Sequence, residues 1–405
     1  MAGTTGATRW PEQLDCRASS EALRFCNVLA STCLDIDMVT LTSAAVLRET
    51  HGSFTLENLI LDDPRPDEVL VKIVACGICQ TDAHFRSQHM PIELPAVLGH
   101  EGAGVVERIG SAVTSVKPSD HVVLSFNSCG HCAACGNGHP AYCDDLIRLN
   151  FAGVRADGTS GLADTNGTPV RGRFFCQSSL ATFSLVNERN VVKVPSDLPL
   201  AMLVRLGCGF QTGAAALLNA LEVPPKTSIA IFGVGAVGLA AIVASKIARA
   251  ETIVAIDVND ERLSLARELG AHHTINVSKS DAAARIREIL PRGVDFVLDT
   301  SGRKESLEAG LAALAFLGKF GFVAFSPAAG AVLDASRLSA GQSLQGIIQG
   351  DATPQSFIPQ LIEFYREGSF PFDKLVRFYE PGDIDKAFSD AARGETIKPV
   401  IQFNH

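Results

Sequence analysis

A chain of 405 residues is too long for one simple core and fits two or three domains of roughly 100–200 residues each. With 46% hydrophobic and 20% charged residues, it can bury enough apolar surface to offset chain entropy, which excludes a largely disordered protein. The 44 acidic against 35 basic side chains leave a net charge of −9, the wrong sign for phosphate backbones or anionic lipid, so neither nucleic acid nor membrane is expected as a partner.

Residues 1–37 interleave Glu12, Asp15 and Glu21 with Arg9, Arg17 and Arg24 and hold no long apolar run. That pattern argues against a secretory signal or transit peptide, and an N-terminal tail on a cytoplasmic protein is expected. Periodic sequence begins at Met38, where MVTLTSAAVLRETHGSFTLENLIL reads as short strands of alternating apolar residues. From Val69 to about Val194 the runs VLVKIVACGIC, GAGVVERIG, HVVLSF and FFCQSSLATFSLV are β-like, punctuated by Gly, Pro and Asp. Residues 150–173 are polar with five glycines and read as a long surface excursion.

After about Cys208 the rhythm becomes strand and helix in alternation: SIAIF, AVGLAAIVASKIARA, TIVAID, ERLSLARELG, AAARIREIL, VDFVLD, KESLEAGLAALAF, KFGFVAF. This predicts an α/β domain, a parallel sheet with helices on both faces. From Thr353 two helical patterns, FIPQLIEFYREG and IDKAFSDAARG, precede a last strand, KPVIQF. Thr227–Ser245 is uncharged over nineteen residues, near spanning length, but Gly233, Gly235 and Gly238 interrupt it. It reads as a buried strand followed by a helix.

GVGAVG at 233–238 matches GxGxxG, a weak signal alone. Here it follows a strand and opens a helix, so Gly233, Gly235 and Gly238 provide a tight turn, close approach to a pyrophosphate and close helix packing. Asp257 ends the next strand nineteen residues beyond Gly238, the spacing of a ribose-binding acid. A carboxylate there repels a 2′-phosphate, which favours NAD over NADP, while nearby Arg262 softens that repulsion or is a solvated helix charge.

Eleven cysteines are an odd number, too sparse for a disulfide scaffold. Cys129, Cys132, Cys135 and Cys143 are spaced C-x2-C-x2-C-x7-C, and four thiolates within fifteen residues can close the tetrahedral shell of a structural zinc. An iron–sulfur cluster is the rival, but Asp144 rather than proline follows the last cysteine. His131 and His139 in the loop are expected to be bystanders. A second set is dispersed: Cys79 in GICQTDAH, His100 and Glu101 in LGHEGAG, and Cys208 in LGCGFQTG. Each alone has an ordinary explanation, yet two cysteines and a histidine are a catalytic zinc set with a fourth position left for water or substrate.

Taken in order, GIC-x-TD-x-H, GHE-x-AG-x-V, the four-cysteine loop, GCG-x-x-TG, GVGAVGL and IKPVI resemble the zinc-dependent medium-chain alcohol dehydrogenases from about Met38 onward. Within that family LSFNSCGHC, GRFFCQSSLATF and QGDATPQSFIPQLIEFYREGSFPFDKLV look most like aryl-alcohol dehydrogenases. The resemblance implies a β-rich, GroES-like catalytic domain over 38–207, a Rossmann NAD-binding domain over 208–349, and a segment 350–405 that returns to the first. It implies two zinc ions per chain, with Cys79, His100 and Cys208 as catalytic ligands, Glu101 an alternating ligand, and Asp82 orienting His100. Thr81 would take the alcohol proton and pass it, by way of the cofactor ribose, to His84. Val237, Thr212 and Lys398 fall at cofactor-binding positions, and Phe126, Phe174 and Phe175 near the alcohol site. A homodimer or homotetramer is expected.

Departures from the family pattern are Gln80 in place of Arg or His, Arg205 before LGCG, Cys176 in place of glycine, and Phe325 near the nicotinamide. They bear on the substrate, for which a primary aromatic or allylic alcohol and its aldehyde are expected. Short aliphatic alcohols, formaldehyde-type substrates, polyols, or a zinc- and NAD-binding protein without turnover are the alternatives. Serine-hydrolase, zinc-protease and phosphate-loop signatures are lacking.

Overall fold

The computed structural model describes residues 40–323, 335–338, 340–372 and 376–404. The tail 1–37 with Cys16, Cys26 and Cys33, and Phe325, lie outside the described residues.

The first strands are β1 (Thr40–Leu47), β2 (Phe54–Leu61) and β3 (Glu68–Gly77), followed by the short β4 (Ala96–Val97), then β5 (Gly102–Ile109) and β6 (His121–Leu124). β1 pairs antiparallel with β2 and with β4. Nearly all of β3 is buried, as its apolar run requires, and it pairs antiparallel with β5. β7 (Leu162–Ala163), β8 (Phe183–Asn187) and β9 (Val191–Lys193) complete this part, β7 on β2, β8 on β3 and β9 on β6.

Residues 150–173 are a surface excursion only in part: 156–159 and 165–169 are exposed, while Arg155, Leu162, Val170 and Arg173 are buried. Arg155, buried, donates to both carboxylate oxygens of buried Glu68 at 2.8 and 2.9 Å and to Asp62 at 2.6 Å. Arg173, also buried, reaches Glu68 at 3.2 Å and donates to the Leu185 carbonyl at 2.8 Å. Burial pushes the Glu68 carboxyl up, but the Arg155 hydrogen bonds and the Arg173 charge hold it below the ordinary glutamate value. A segment rich in charge and glycine is thus fastened down by an ion pair that composition cannot reveal.

The second part is an all-parallel sheet of six strands: β10 (Ser228–Phe232), β11 (Thr252–Asp257), β12 (His273–Asn276), β13 (Val294–Asp299), β14 (Leu314–Phe322) and β15 (Ser343–Gly346). They are ordered β12-β11-β10-β13-β14-β15, so the chain winds outward in both directions from β10. Along β10, Ile229 and Ile231 enter one apolar cluster with Leu239 and Leu298, while Ala230 and Phe232 enter another with Val254 and Phe320. A strand buried on both faces needs the unbroken apolar run SIAIF. The uncharged stretch 227–245 is this strand plus the helix Ala236–Ile247. Among the described residues no single helix is long and apolar enough to cross a membrane.

After the helix Pro354–Arg366, β16 (Val376–Tyr379) and β17 (Lys398–Gln402) pair with each other, and β17 lies antiparallel to β3 with Val400 opposite Gly77. This last strand sets Lys398 against the first part of the molecule.

Candidate active site

The glycine turn between β10 and the helix Ala236–Ile247 has Gly233 at φ +80, and a Cβ on Gly238 would collide with the Gly233 carbonyl. Asp257 fixes the turn from the tip of β11. One of its oxygens accepts from Val234 N at 2.8 Å and the other from Val258 N at 2.8 Å and Asn259 N at 3.0 Å. The turn opens on a cleft of about 530 Å³ whose walls include Gly233, Gly235, Val237, Asp257, Arg262 and Lys398, with Cys79 and Gln80 at its inner end. Arg262, Arg303 and Lys398 against Asp257 give the walls a positive balance. An anionic pyrophosphate suits such a wall even with Gln80 in place of a cation.

Cys79 stands at the N-cap of the helix Gln80–Arg86. Asp82, fully buried in the first turn, makes that placement rigid: it accepts from Cys79 N at 2.9 Å and Gly99 N at 3.0 Å and faces His100 Nδ1 at 3.2 Å. The tight GHE turn before β5 carries His100 and Glu101. Sequence reasoning missed Gln177, whose amide donates to the His100 carbonyl at 2.9 Å and accepts from Gly102 N at 3.2 Å. Its one signal is a polar residue inside the apolar run FFCQSSLATF.

Cys208 comes from a third segment. It precedes the helix Gly209–Ala215, between two glycines set by close approach. A Cβ on Gly207 would strike the Leu124 carbonyl of β6, and one on Gly213 the Val237 carbonyl of the fingerprint helix.

The ligand atoms of Cys79, His100, Glu101 and Cys208 all lie within 4.8 Å of one another. His100 Nε2 is buried without a hydrogen-bond partner, and Lys398 Nζ meets Glu101 and donates to the Ile78 carbonyl at 3.1 Å. A hydrogen bond with Cys208 leads in drawing the Cys79 thiol well below the usual thiol range, and the same bond, with burial, drives Cys208 well above it. Burial opposes charge on His100, but the Asp82 carboxylate and Cys79 push it up to about 10. Two sulfurs and an imidazole that share protons in this way are held where a divalent cation displaces the protons, so the set fits zinc.

Thr81 is buried with Oγ1 3.7 Å from Cys79 Sγ. His84, half-buried on the next turn, has its ring tilted against that of His89 at 5.4 Å, and burial and then the His89 charge lower its pKa. Phe175 stacks on the His100 ring at 4.4 Å, and Phe174 meets the same ring edge-on at 5.7 Å. Phe126, Phe174 and Phe175 are buried in the core of the β-rich part and are not among the residues lining the cleft. Neither is Thr212, whose hydroxyl donates to Gln349 at 3.1 Å. Arg205 is fully buried between Phe210 and Phe372, and Cys176 accepts from Arg173 at 2.8 Å.

The sulfurs of Cys129, Cys132, Cys135 and Cys143 likewise lie within 4.8 Å of one another, and these cysteines form no disulfide. Backbone N–H groups of Cys132, Cys135 and Cys129 donate to Cys129, Cys132 and Cys143 sulfurs at 3.3, 3.5 and 3.2 Å, a cage of donors suited to thiolates. The loop thus fits a closed zinc site. His139 turns away to Asp351 at 2.8 Å.

Residues 65–196 match the family described as alcohol dehydrogenase GroES-like domain, and residues 236–367 match zinc-binding dehydrogenase. The geraniol dehydrogenase of Castellaniella defragrans is 43% identical over 366 residues, which cover 89% of this chain and 97% of that protein. Crystal structures of an alcohol dehydrogenase zinc-binding domain protein from Burkholderia ambifaria and of benzyl alcohol dehydrogenase from Acinetobacter calcoaceticus share 46% and 44% identity. They superpose with TM-scores of 0.88 and 0.86 over 91% and 90% of this chain and the whole of theirs. With a GroES-like β domain, a Rossmann-type sheet and two zinc-fitting cysteine sets, the chain belongs to the zinc-containing medium-chain alcohol dehydrogenases.

Proposed function

We propose that this alcohol dehydrogenase interconverts a primary aromatic or allylic alcohol and its aldehyde with NAD as the hydride carrier. The observation that carries the reading is the position of Cys79, which belongs both to the zinc-fitting set and to the wall of the cleft beneath the glycine turn, so that the residues that would hold a zinc adjoin those that would hold a dinucleotide. Cys79, His100 and Cys208, with Glu101 as alternating ligand, would hold the zinc, which would supply a Lewis acid for the alcohol and carbonyl oxygen. NAD supplies the hydride chemistry.

The chain's residues do the rest. Asp82 fixes the tautomer and aim of His100, and Thr81 Oγ1 takes the alcohol proton beside Cys79. His84, its imidazole kept neutral by burial and by His89, is the base at the outer end of the relay. Lys398 and Val237 on the cleft wall belong to the nucleotide side, with Thr212 behind it beside Gly213, which packs on Val237. Asp257 on the cleft wall supports NAD over NADP, with Arg262 as its counterweight. The geraniol and benzyl alcohol dehydrogenases among the relatives support a flat apolar alcohol, and Phe174 and Phe175 against the His100 ring, with Phe126, give that ligand an apolar surrounding.

The domain assignment is 38–207, 208–349 and a returning 350–405, supported by the pairing of β17 with β3. A homodimer or homotetramer is supported by the exposed edge strand β15 and by Phe316 and Leu317, 83% and 77% exposed beside it. Steady-state kinetics with an alcohol panel tests the whole. Benzyl alcohol and geraniol should exceed ethanol and sorbitol in kcat/KM by at least ~10-fold, NAD should exceed NADP, and Asp257→Ser should narrow that cofactor gap. Ethanol or sorbitol matching benzyl alcohol would refute the substrate class, and an NADP preference would refute the role of Asp257.

A further inference from the structure

Between β15 and the helix Pro354–Arg366 the backbone turns through three successive residues in the left-handed region, Gln349, Gly350 and Asp351, at φ +50, +70 and +55. Only one is glycine, and the other two hold a conformation that costs of order 1 kcal/mol or more each unless the surroundings impose it. The surroundings do so. Gly350 lies flat on the helix that follows Cys208, where an added Cβ would stand 2.5 Å from Ala215 Cβ and 2.7 Å from the Thr212 carbonyl. Asp351 is held by His139 of the four-cysteine loop at 2.8 Å. Gln349 then has its side chain aimed at the metal set, with Nε2 3.7 Å from Cys208 Sγ and Oε1 accepting from Thr212 Oγ1 at 3.1 Å.

We infer that Gln349 is a positioning residue for the catalytic metal, acting through Cys208. A thiolate ligand carries no proton and can only accept, so the amide must present its NH₂ to the sulfur and its oxygen to the hydroxyl of Thr212. The donated N–H stabilises negative charge on the sulfur and holds Cys208 in the direction from which it reaches the ion, as outer partners of metal ligands do. The left-handed turn is the device that delivers this amide. Its other anchor is the His139–Asp351 pair, so the four-cysteine loop and the catalytic sulfur are braced from one short segment.

The inference rests on Cys208 being a ligand of the catalytic zinc, and its test separates the two. Zinc release from the full-length, zinc-loaded protein to a chromogenic chelator is followed in time, and the phases from the catalytic and four-cysteine sites are identified with Cys79→Ser and Cys132→Ser. Cys208→Ser should abolish the catalytic phase; retention of both zinc ions would overturn the ligand assignment and this proposal with it. Gln349→Met keeps the size but has no donor, and Gln349→Glu keeps an acceptor for Thr212 but has no donor for the sulfur. Both should release the catalytic zinc about 10-fold faster, the lower end of the effect of outer-partner loss, with the four-cysteine phase unchanged. A Gln349→Met variant that releases at the wild-type rate, or that speeds both phases equally, overturns the proposal while leaving the ligand assignment intact.

Discussion

The two cysteine sets hold the same kind of atoms by opposite means. Cys129 to Cys143 form a local cage, partly exposed, built by one loop whose own amides point at its sulfurs. Cys79, the His100–Glu101 pair and Cys208 come from three segments: Asp82 ties a helix N-terminus to the GHE turn, Gln177 ties that turn to the segment after Phe175, and the close approaches of Gly207 and Gly213 set Cys208. A site built by a loop depends on the loop, whereas a convergent site depends on the whole fold and gives less support back to it. The first should therefore contribute chiefly stability and the second chiefly chemistry.

Removing one ligand from each set is the strongest way to break that contrast. Cys79→Ser should lose one zinc and nearly all turnover while its melting temperature stays close to wild type. Cys132→Ser should lose the other zinc and mainly lower the melting temperature, because closed zinc sites contribute folding free energy. Elemental analysis with thermal melts decides the matter, and a fully active wild type holding at most one zinc would end the distinction.

A smaller effect sharpens the chemical half. His84→Ala should slow alcohol oxidation by about 10²-fold, at the lower end of general-base contributions, with partial recovery in small buffer bases. Since the folded environment lowers the imidazole pKa, wild type already has the neutral base at pH 7, and the deficit should be largest near neutrality and shrink as hydroxide rises. An unchanged pH profile would remove His84 from the relay.

The mildest perturbation addresses how remote segments are fastened. Arg155→Met leaves Glu68 buried with less compensation and should cost about 3–5 kcal/mol of unfolding free energy, measured by urea titration. The folded Glu68 pKa lies below its unfolded value, so the wild-type contribution is complete above the ordinary glutamate pKa of about 4.3 and fades as pH falls through the lowered folded value. The gap between Arg155→Met and wild type should close on acidification, and a pH-independent gap would show that the pair is not the cause.

Much of this was legible in the sequence, for reasons that also explain the rest. SIAIF followed by GVGAVG announces a buried strand and a glycine turn because periodicity and spacing are local properties, and the four-cysteine loop is legible in the same way. The dispersed zinc set was legible through several short motifs in order rather than through any one spacing. Gln177, Gln349 and the Arg155–Glu68 pair were not legible. Each is a polar group satisfied by a partner far along the chain, and a lone glutamine or arginine has no period that points to its partner. Reading 150–173 as surface holds for 156–159 and 165–169 but misses the buried Arg155 and Arg173 on this ground, since polar composition predicts exposure only when the polar groups lack buried partners.

The glycines on either side of Cys208 bear on motion. Gly207 is pressed against the carbonyl of Leu124 in the β-rich part and Gly213 against that of Val237 in the nucleotide part, so the short run between them is fixed to both parts. Such a run is the fulcrum of any opening. Were the two parts to rock about it, displacement would grow with distance, so that the walls near Asp257 and Thr396 would part more than the surroundings of the Cys208 sulfur. The metal set would then sit at the quiet end of the lever, where a cycle of opening and closing would disturb its ligand distances least.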